Sequence, residues 1–86
     1  MKVKLHSNFE KQFAKLRMNE KKQAKDRLVR FVSEPFSPEL RNHPLKGKYL
    51  GYRSINITGD LRAVYKNAGK DEAVFVAIGS HIELYS

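Results

Sequence analysis

The 86 residues make one domain, near the lower end of what folds without covalent staples, and with no cysteine they exclude a disulfide framework and a thiolate metal site. No apolar run approaches the ~18 residues of a membrane-spanning helix, and the polar opening Met1-Lys2-Val3-Lys4-Leu5-His6 does not read as a signal peptide, so a cytoplasmic protein that spans no membrane is expected. The net charge of +8 is lopsided: residues 1–50 carry 13 Lys and Arg against 5 Asp and Glu, while residues 51–86 carry 4 against 4. Such an excess fits an anionic partner (nucleic acid, an acidic protein or a membrane surface) as well as a merely solvated surface. A hydrophobic content of 41%, with five Phe and four Tyr, supplies one modest core and argues against disorder.

Val3-Lys4-Leu5 opens the chain as a short strand. Ser7-Asn8-Phe9-Glu10 has the spacing of a capping box. Phe9, Phe13 and Leu16 then recur at i, i+4 and i+7, predicting a helix from about Asn8 to Arg17. Asn19 is the expected cap of a second helix, from about Glu20 to Ser33, with Ala24, Leu28, Phe31 and Val32 on one face. Lys21, Lys22, Lys25, Arg27 and Arg30 cover much of the rest, as phosphate contacts, as a surface for an acidic protein partner or as a merely solvated face. The two helices can pair as an antiparallel hairpin. Pro35 ends the second, because the residue before a proline avoids helical backbone.

Residues 34–48 form a loop with three prolines, pinned to the core through Phe36, Leu40 and Leu45. The pattern then turns strand-like: Tyr49 to Ile57, Leu61 to Asn67 and Ala73 to Ser80, joined by short turns at Thr58-Gly59-Asp60 and Ala68-Gly69-Lys70-Asp71. Short turns force antiparallel neighbours, hence a meander. The apolar run Ala73 to Ile78 predicts a central strand covered on both faces. The order β-α-α-β-β-β, with a tail over residues 81–86, predicts a single α+β domain over residues 1–86, its sheet mainly antiparallel and four-stranded.

Four segments occur in fixed order: Asn42-His43-Pro44-Leu45-Lys46-Gly47, Gly51-Tyr52-Arg53, Asp60-Leu61-Arg62-Ala63-Val64-Tyr65 and Ile78-Gly79-Ser80-His81-Ile82-Glu83-Leu84-Tyr85. Together they resemble the RelE/YafQ toxins of type II toxin–antitoxin systems. Residues 1–41 match only as a helical-hairpin pattern. The resemblance implies a helical hairpin packed on a twisted sheet. It also implies an endoribonuclease that cuts mRNA, on the translating ribosome as is usual for the family, without metal or other cofactor. The implied partner is a cognate antitoxin, in a toxin–antitoxin hetero-oligomer.

Metal-free RNA cleavage needs a base for the 2′-hydroxyl, an acid for the leaving 5′-oxygen and cations for the charged phosphorane. Histidine suits the first two and arginine the third. His81 matches the family's general acid. Asp60 matches an aspartate beside the site, to orient a histidine or act as base, and is equally an ordinary turn residue. Arg62 matches an arginine on the scissile phosphate, with Arg53 a second candidate of that kind. His43 matches the histidine of the first segment, either catalytic or structural. Lys46, Lys48 and Tyr85 are the further expected RNA contacts, Tyr85 by stacking. His6 matches nothing and reads as structural or solvent-exposed.

Two departures remove expected groups. Asn56 stands where YafQ-type members carry a further histidine, and Ala77 where many members carry an arginine. Two other readings therefore stand beside the nuclease: a ParE-type toxin of the same fold acting on DNA gyrase, and a degenerate toxin that binds only antitoxin or ribosome.

Overall fold

The computed structural model describes residues 1–85. The elements are β1 (Lys2–Leu5), α1 (Ser7–Ala14), α2 (Met18–Ser33), β2 (His43–Pro44), β3 (Arg53–Asn56), β4 (Leu61–Asn67), β5 (Glu72–Ser80) and α3 (His81–Tyr85), with 3₁₀ turns at Pro38–Leu40 and Gly47–Tyr49. The sheet has five strands rather than four, in the order β1-β5-β4-β3-β2. β1 runs parallel to β5, and the other pairs are antiparallel. The added strand is the His43-Pro44 pair on β3, short enough to leave no alternating pattern in the sequence.

Helix caps differ from those the sequence suggests. His6, not Ser7, caps α1: its Nδ1 accepts from the Asn8 backbone N–H at 3.0 Å. Arg17, not Asn19, precedes α2, where the Glu20 carboxylate reaches back to the Arg17 backbone N–H at 2.9 Å. The expected strand from Tyr49 begins only at Arg53, because Tyr49 closes a 3₁₀ turn and Gly51 follows at a φ of +93°.

One face of the sheet carries the helical layer. Phe9, Ala24 and Phe31 from the helices meet Ile55, Leu61, Ala63, Tyr65, Ala73, Phe75 and Ile78 from the strands. Phe31 lies edge-on to Tyr65 and Phe75, at 4.8 and 5.1 Å between ring centres. Leu40 joins this core, as the loop pattern requires, and Leu45 packs on the opposite face. Phe36 does not pin the loop: it is 67% exposed.

β5 changes phase part-way. Val64 lies opposite Ala77 and Tyr65 opposite Phe75, so Val76 is an extra residue in β5, a bulge. Ala73 and Phe75 face the helices before it and Ile78 after it, while Val76 and Ala77 face away. The run Ala73 to Ile78 is therefore buried at Ala73, Phe75, Ala77 and Ile78 but only half-buried at Val74 and Val76, and β4 rather than β5 takes the middle of the sheet. Past the end of β1, α1 closes the open edge of β5 with two side chains one turn apart. Asn8 Nδ2 donates to the Val76 carbonyl at 2.9 Å, and Gln12 Oε1 accepts from the Ile78 N–H at 2.8 Å.

Candidate active site

Strand alternation sets what the helix-free face offers. Directly opposed residues share a face, so His43, Ser54, Val64 and Ala77 form one row and Asn56, Arg62 and Gly79 the next. α3, read from the sequence only as a tail, folds back over this face, and Leu84 packs with Val64 and Ala77. Gly79 permits the return: a Cβ there would meet Glu83 Oε1 at 3.2 Å and Leu84 Cδ2 at 3.5 Å. Ser80 and Glu83 cap the helix reciprocally. Glu83 Oε1 accepts from the Ser80 N–H at 2.7 Å, and Ser80 Oγ accepts from the Glu83 N–H at 3.1 Å. The Ser80 N–H foremost, and the Ser80 hydroxyl second, hold the exposed Glu83 carboxyl below its ordinary value of 4.5.

His81 is the first residue of α3 and is exposed. Its ring stands 4.9 Å from that of Tyr85, one turn on. The Tyr85 hydroxyl donates to Ser54 Oγ at 3.1 Å, and Ser54 is wholly buried. Ser54 lies opposite His43. The two histidines thus stand at the ends of a short file of neighbours: His43, Ser54, Tyr85, His81.

His43 is exposed, and its Nδ1 lies 2.7 Å from the Arg41 carbonyl oxygen. A carbonyl only accepts, so Nδ1 carries the hydrogen and the neutral ring leaves Nε2 as a free base. Arg41 supplies that carbonyl from a left-handed backbone, φ +47°, the sole non-glycine residue with positive φ among those described. Around the histidines lies an aromatic and basic surface. Tyr49 contacts Tyr52 at 5.8 Å and Tyr85 at 5.9 Å, and the Lys48 ammonium sits 5.5 Å from the Tyr49 ring centre.

The profile of the family described as "Bacterial toxin of type II toxin-antitoxin system, YafQ" matches residues 1–86. The chain belongs to the YafQ toxin family. Among solved structures, a copper-bound mutant toxin from Helicobacter pylori is 32% identical and covers 99% of each chain, with a TM-score of 0.78. YafQ from E. coli has the same fold at 18% identity, covering 98% of this chain and 97% of its own, with a TM-score of 0.82. The E. coli DinJ-YafQ complex matches at 22% identity over 98% and 97%, with a TM-score of 0.70. No protein of curated function matches the sequence.

Within this YafQ-family fold, the remaining expected residues scatter. Arg62 shares the face of His43 and His81, but its Nη1 donates to the carbonyls of Thr58, Gly59 and Leu61, at 3.1 to 3.3 Å. The guanidinium is thereby turned to the end of the sheet, where it lines a hollow with Arg27, Arg41 and Asn56. Asp60 is exposed in the β3–β4 turn and lines a different cavity, of about 600 Å³, with Lys15, Arg17, Glu20 and Glu83. Arg53 faces the helical layer: its Nε donates to Asn42 Oδ1 at 2.8 Å and its guanidinium covers the Phe36 ring at 5.3 Å. Lys46 and Lys48 are exposed at the 3₁₀ turn near Tyr49. Ala77 is buried beneath Leu84 and Val64. No three His, Cys, Asp or Glu side chains converge into a metal cluster among the described residues, and no described helix is long and apolar enough to cross a membrane.

The sequence reading missed Ser54, Tyr49 and Tyr52. It also missed the α3 cap, although Ser80-His81-Ile82-Glu83 carries the S-x-x-E capping signal in plain view. Ser54 leaves no such signal, because its importance lies in being buried under Tyr85.

Proposed function

We propose that this chain is the endoribonuclease toxin of a type II toxin–antitoxin pair, cutting mRNA on the ribosome without metal and silenced by a cognate antitoxin. The observation that carries this reading is the pairing of two exposed histidines on one open face, one of them with its tautomer fixed by a main-chain carbonyl.

In this scheme His43 Nε2 takes the proton of a 2′-hydroxyl. The 2′-oxygen bonds to the adjacent phosphorus, and the bond from phosphorus to the 5′-oxygen breaks. His81 gives its proton to that leaving oxygen, leaving a 2′,3′-cyclic phosphate and a 5′-hydroxyl. Each positioned acid or base is worth ~10²–10⁴-fold in rate. Lys46 and Lys48 supply phosphate contacts, and Tyr85 supports the His81 ring as well as offering an aromatic surface. Arg62 serves the phosphorane only by releasing the turn carbonyls that now hold it.

That last point favours a second reading, in which the chain binds antitoxin or ribosome but does not cut. One experiment separates the two: growth arrest on induced expression, with primer extension on cellular mRNA, for the parent and His81→Ala. Cuts in translated messages that disappear in His81→Ala support the nuclease. Cuts that persist would remove His81 from the acid role. Arrest without cuts would shift the target to gyrase or another protein, and neither arrest nor cuts would support the binding-only reading.

A further inference from the structure

A groove of about 450 Å³ opens on the same face, beside the histidines, and the chemistry above makes no use of it. Tyr49 and Tyr52 line one side, His6 and Asn8 the other, with Val74 and Val76 of β5 between them. The exposed Lys66 places its ammonium 5.9 Å from the Tyr52 ring centre. His6 Nδ1 is occupied by the Asn8 N–H, so in the neutral ring the hydrogen is on Nε2, which remains a donor. The Asn8 amide nitrogen is occupied by the Val76 carbonyl, which leaves Oδ1 as an acceptor. The groove thus combines two aromatic rings, a cation, one neutral donor and one acceptor. It is continuous with the histidine site through ring contacts: Tyr52 to Tyr49 at 5.8 Å, Tyr49 to Tyr85 at 5.9 Å and Tyr85 to His81 at 4.9 Å.

We propose that this groove holds one unpaired nucleotide of the RNA strand, flanking the nucleotide cut between His43 and His81; the proposal rests on the ribonuclease reading. An aromatic wall with cations beside it is the recurring means of holding single-stranded nucleic acid, since every base has a π-face and every linkage a negative charge. A base already paired in a duplex cannot stack against tyrosine, so the groove selects single strands. An acidic peptide would answer the lysine but leave the tyrosine rings without a partner. Lys66 and the Nε2–H of His6 meet phosphate oxygens, and Asn8 Oδ1 meets an N–H on the base edge. His6 therefore has two roles, capping α1 with one ring nitrogen and facing the ligand with the other.

The test uses the full chain and a 2′-O-methyl RNA tetranucleotide, which lacks the attacking hydroxyl and cannot be cut. Amide chemical shifts are followed during titration of the parent, Lys66→Ala and His6→Asn, the last of which keeps a helix-capping side chain. The proposal expects shifts at His6, Asn8 and Tyr52, and binding weakened about tenfold in each variant. Shifts confined to His43, His81 and Tyr85, with affinity unchanged in both variants, would overturn the groove and leave the ribonuclease reading intact. Groove shifts in a parent that fails to cut the all-ribose tetranucleotide, and messages on ribosomes, would keep the nucleotide site and discard the ribonuclease reading. No shifts at millimolar tetranucleotide, or equal displacement by polyglutamate, would also overturn the proposal.

Discussion

The Tyr85 hydroxyl donates to Ser54 Oγ at 3.1 Å, joining the last turn of α3 to β3 through a serine sealed from solvent. Tyr85→Phe would leave that buried serine without its partner. We expect a loss of about 1–3 kcal/mol in urea denaturation. Removing both hydroxyls, in Tyr85→Phe with Ser54→Ala, should recover most of it. Additive losses would show that the two groups do not act as a pair.

α3 should also respond to acid. The Glu83 carboxyl is held below 4.5 in the folded chain by the Ser80 N–H and hydroxyl. A lowered folded value means that the cap contributes fully above 4.5 and is lost as pH falls through the lower folded value. The Ser80 amide resonance should therefore move with pH in the acidic range. In Glu83→Gln, whose amide oxygen accepts the same N–H without titrating, it should stay still. Identical titration of Ser80 in parent and variant would break the link to Glu83.

If Arg41 acts through its carbonyl, its side chain is dispensable to His43. His43→Ala should lower cleavage ~10²–10⁴-fold. Arg41→Gly should keep activity within a few-fold of the parent, and should relieve part of the ~1–2 kcal/mol that a left-handed backbone costs an L-residue. Cleavage kinetics alongside thermal unfolding check both halves. A loss in Arg41→Gly as large as that in His43→Ala would assign the role to the guanidinium instead.

Phe31 of α2 and Phe36 of the following loop differ sharply in burial. Phe31 is fully buried between Tyr65 and Phe75, and Phe31→Ala should cost about 3–5 kcal/mol, a large share of the ~5–15 kcal/mol a domain holds. Phe36 is 67% exposed, and Phe36→Ala should cost less than ~1 kcal/mol, mostly its contact with Arg53. Comparable losses would place Phe36 in the core after all.

What the sequence conveyed depended on local repetition. β4 runs from Leu61 to Asn67, the span its alternation predicts, and both helices turn most of their apolar faces to the core, with Val32 left exposed. Features that depend on distant partners stayed hidden: the parallel pairing of β1 with β5, the Val76 bulge and the burial of Ser54. The four motif segments do bring His43 and His81 to one face, yet they gave no warning that Arg62 would be taken up by the turn carbonyls. The side taken by Arg53 was more accessible. It lies two residues before the buried Ile55 on one strand, and period-two alternation sends both to the helical layer.

The parallel pairing of β1 with β5 sets a timetable for biosynthesis. Lys2 lies opposite Glu72 and Leu5 opposite Phe75, so the first strand to emerge during translation has no neighbour until β5 follows it out. The helical hairpin must meanwhile exist with Phe9 and Phe31 uncovered, since their partners Phe75 and Tyr65 arrive late. Contacts this distant in sequence slow folding and lengthen the exposure of apolar surface. His81 follows directly after β5, so the face that carries it can form only once β5 has been made.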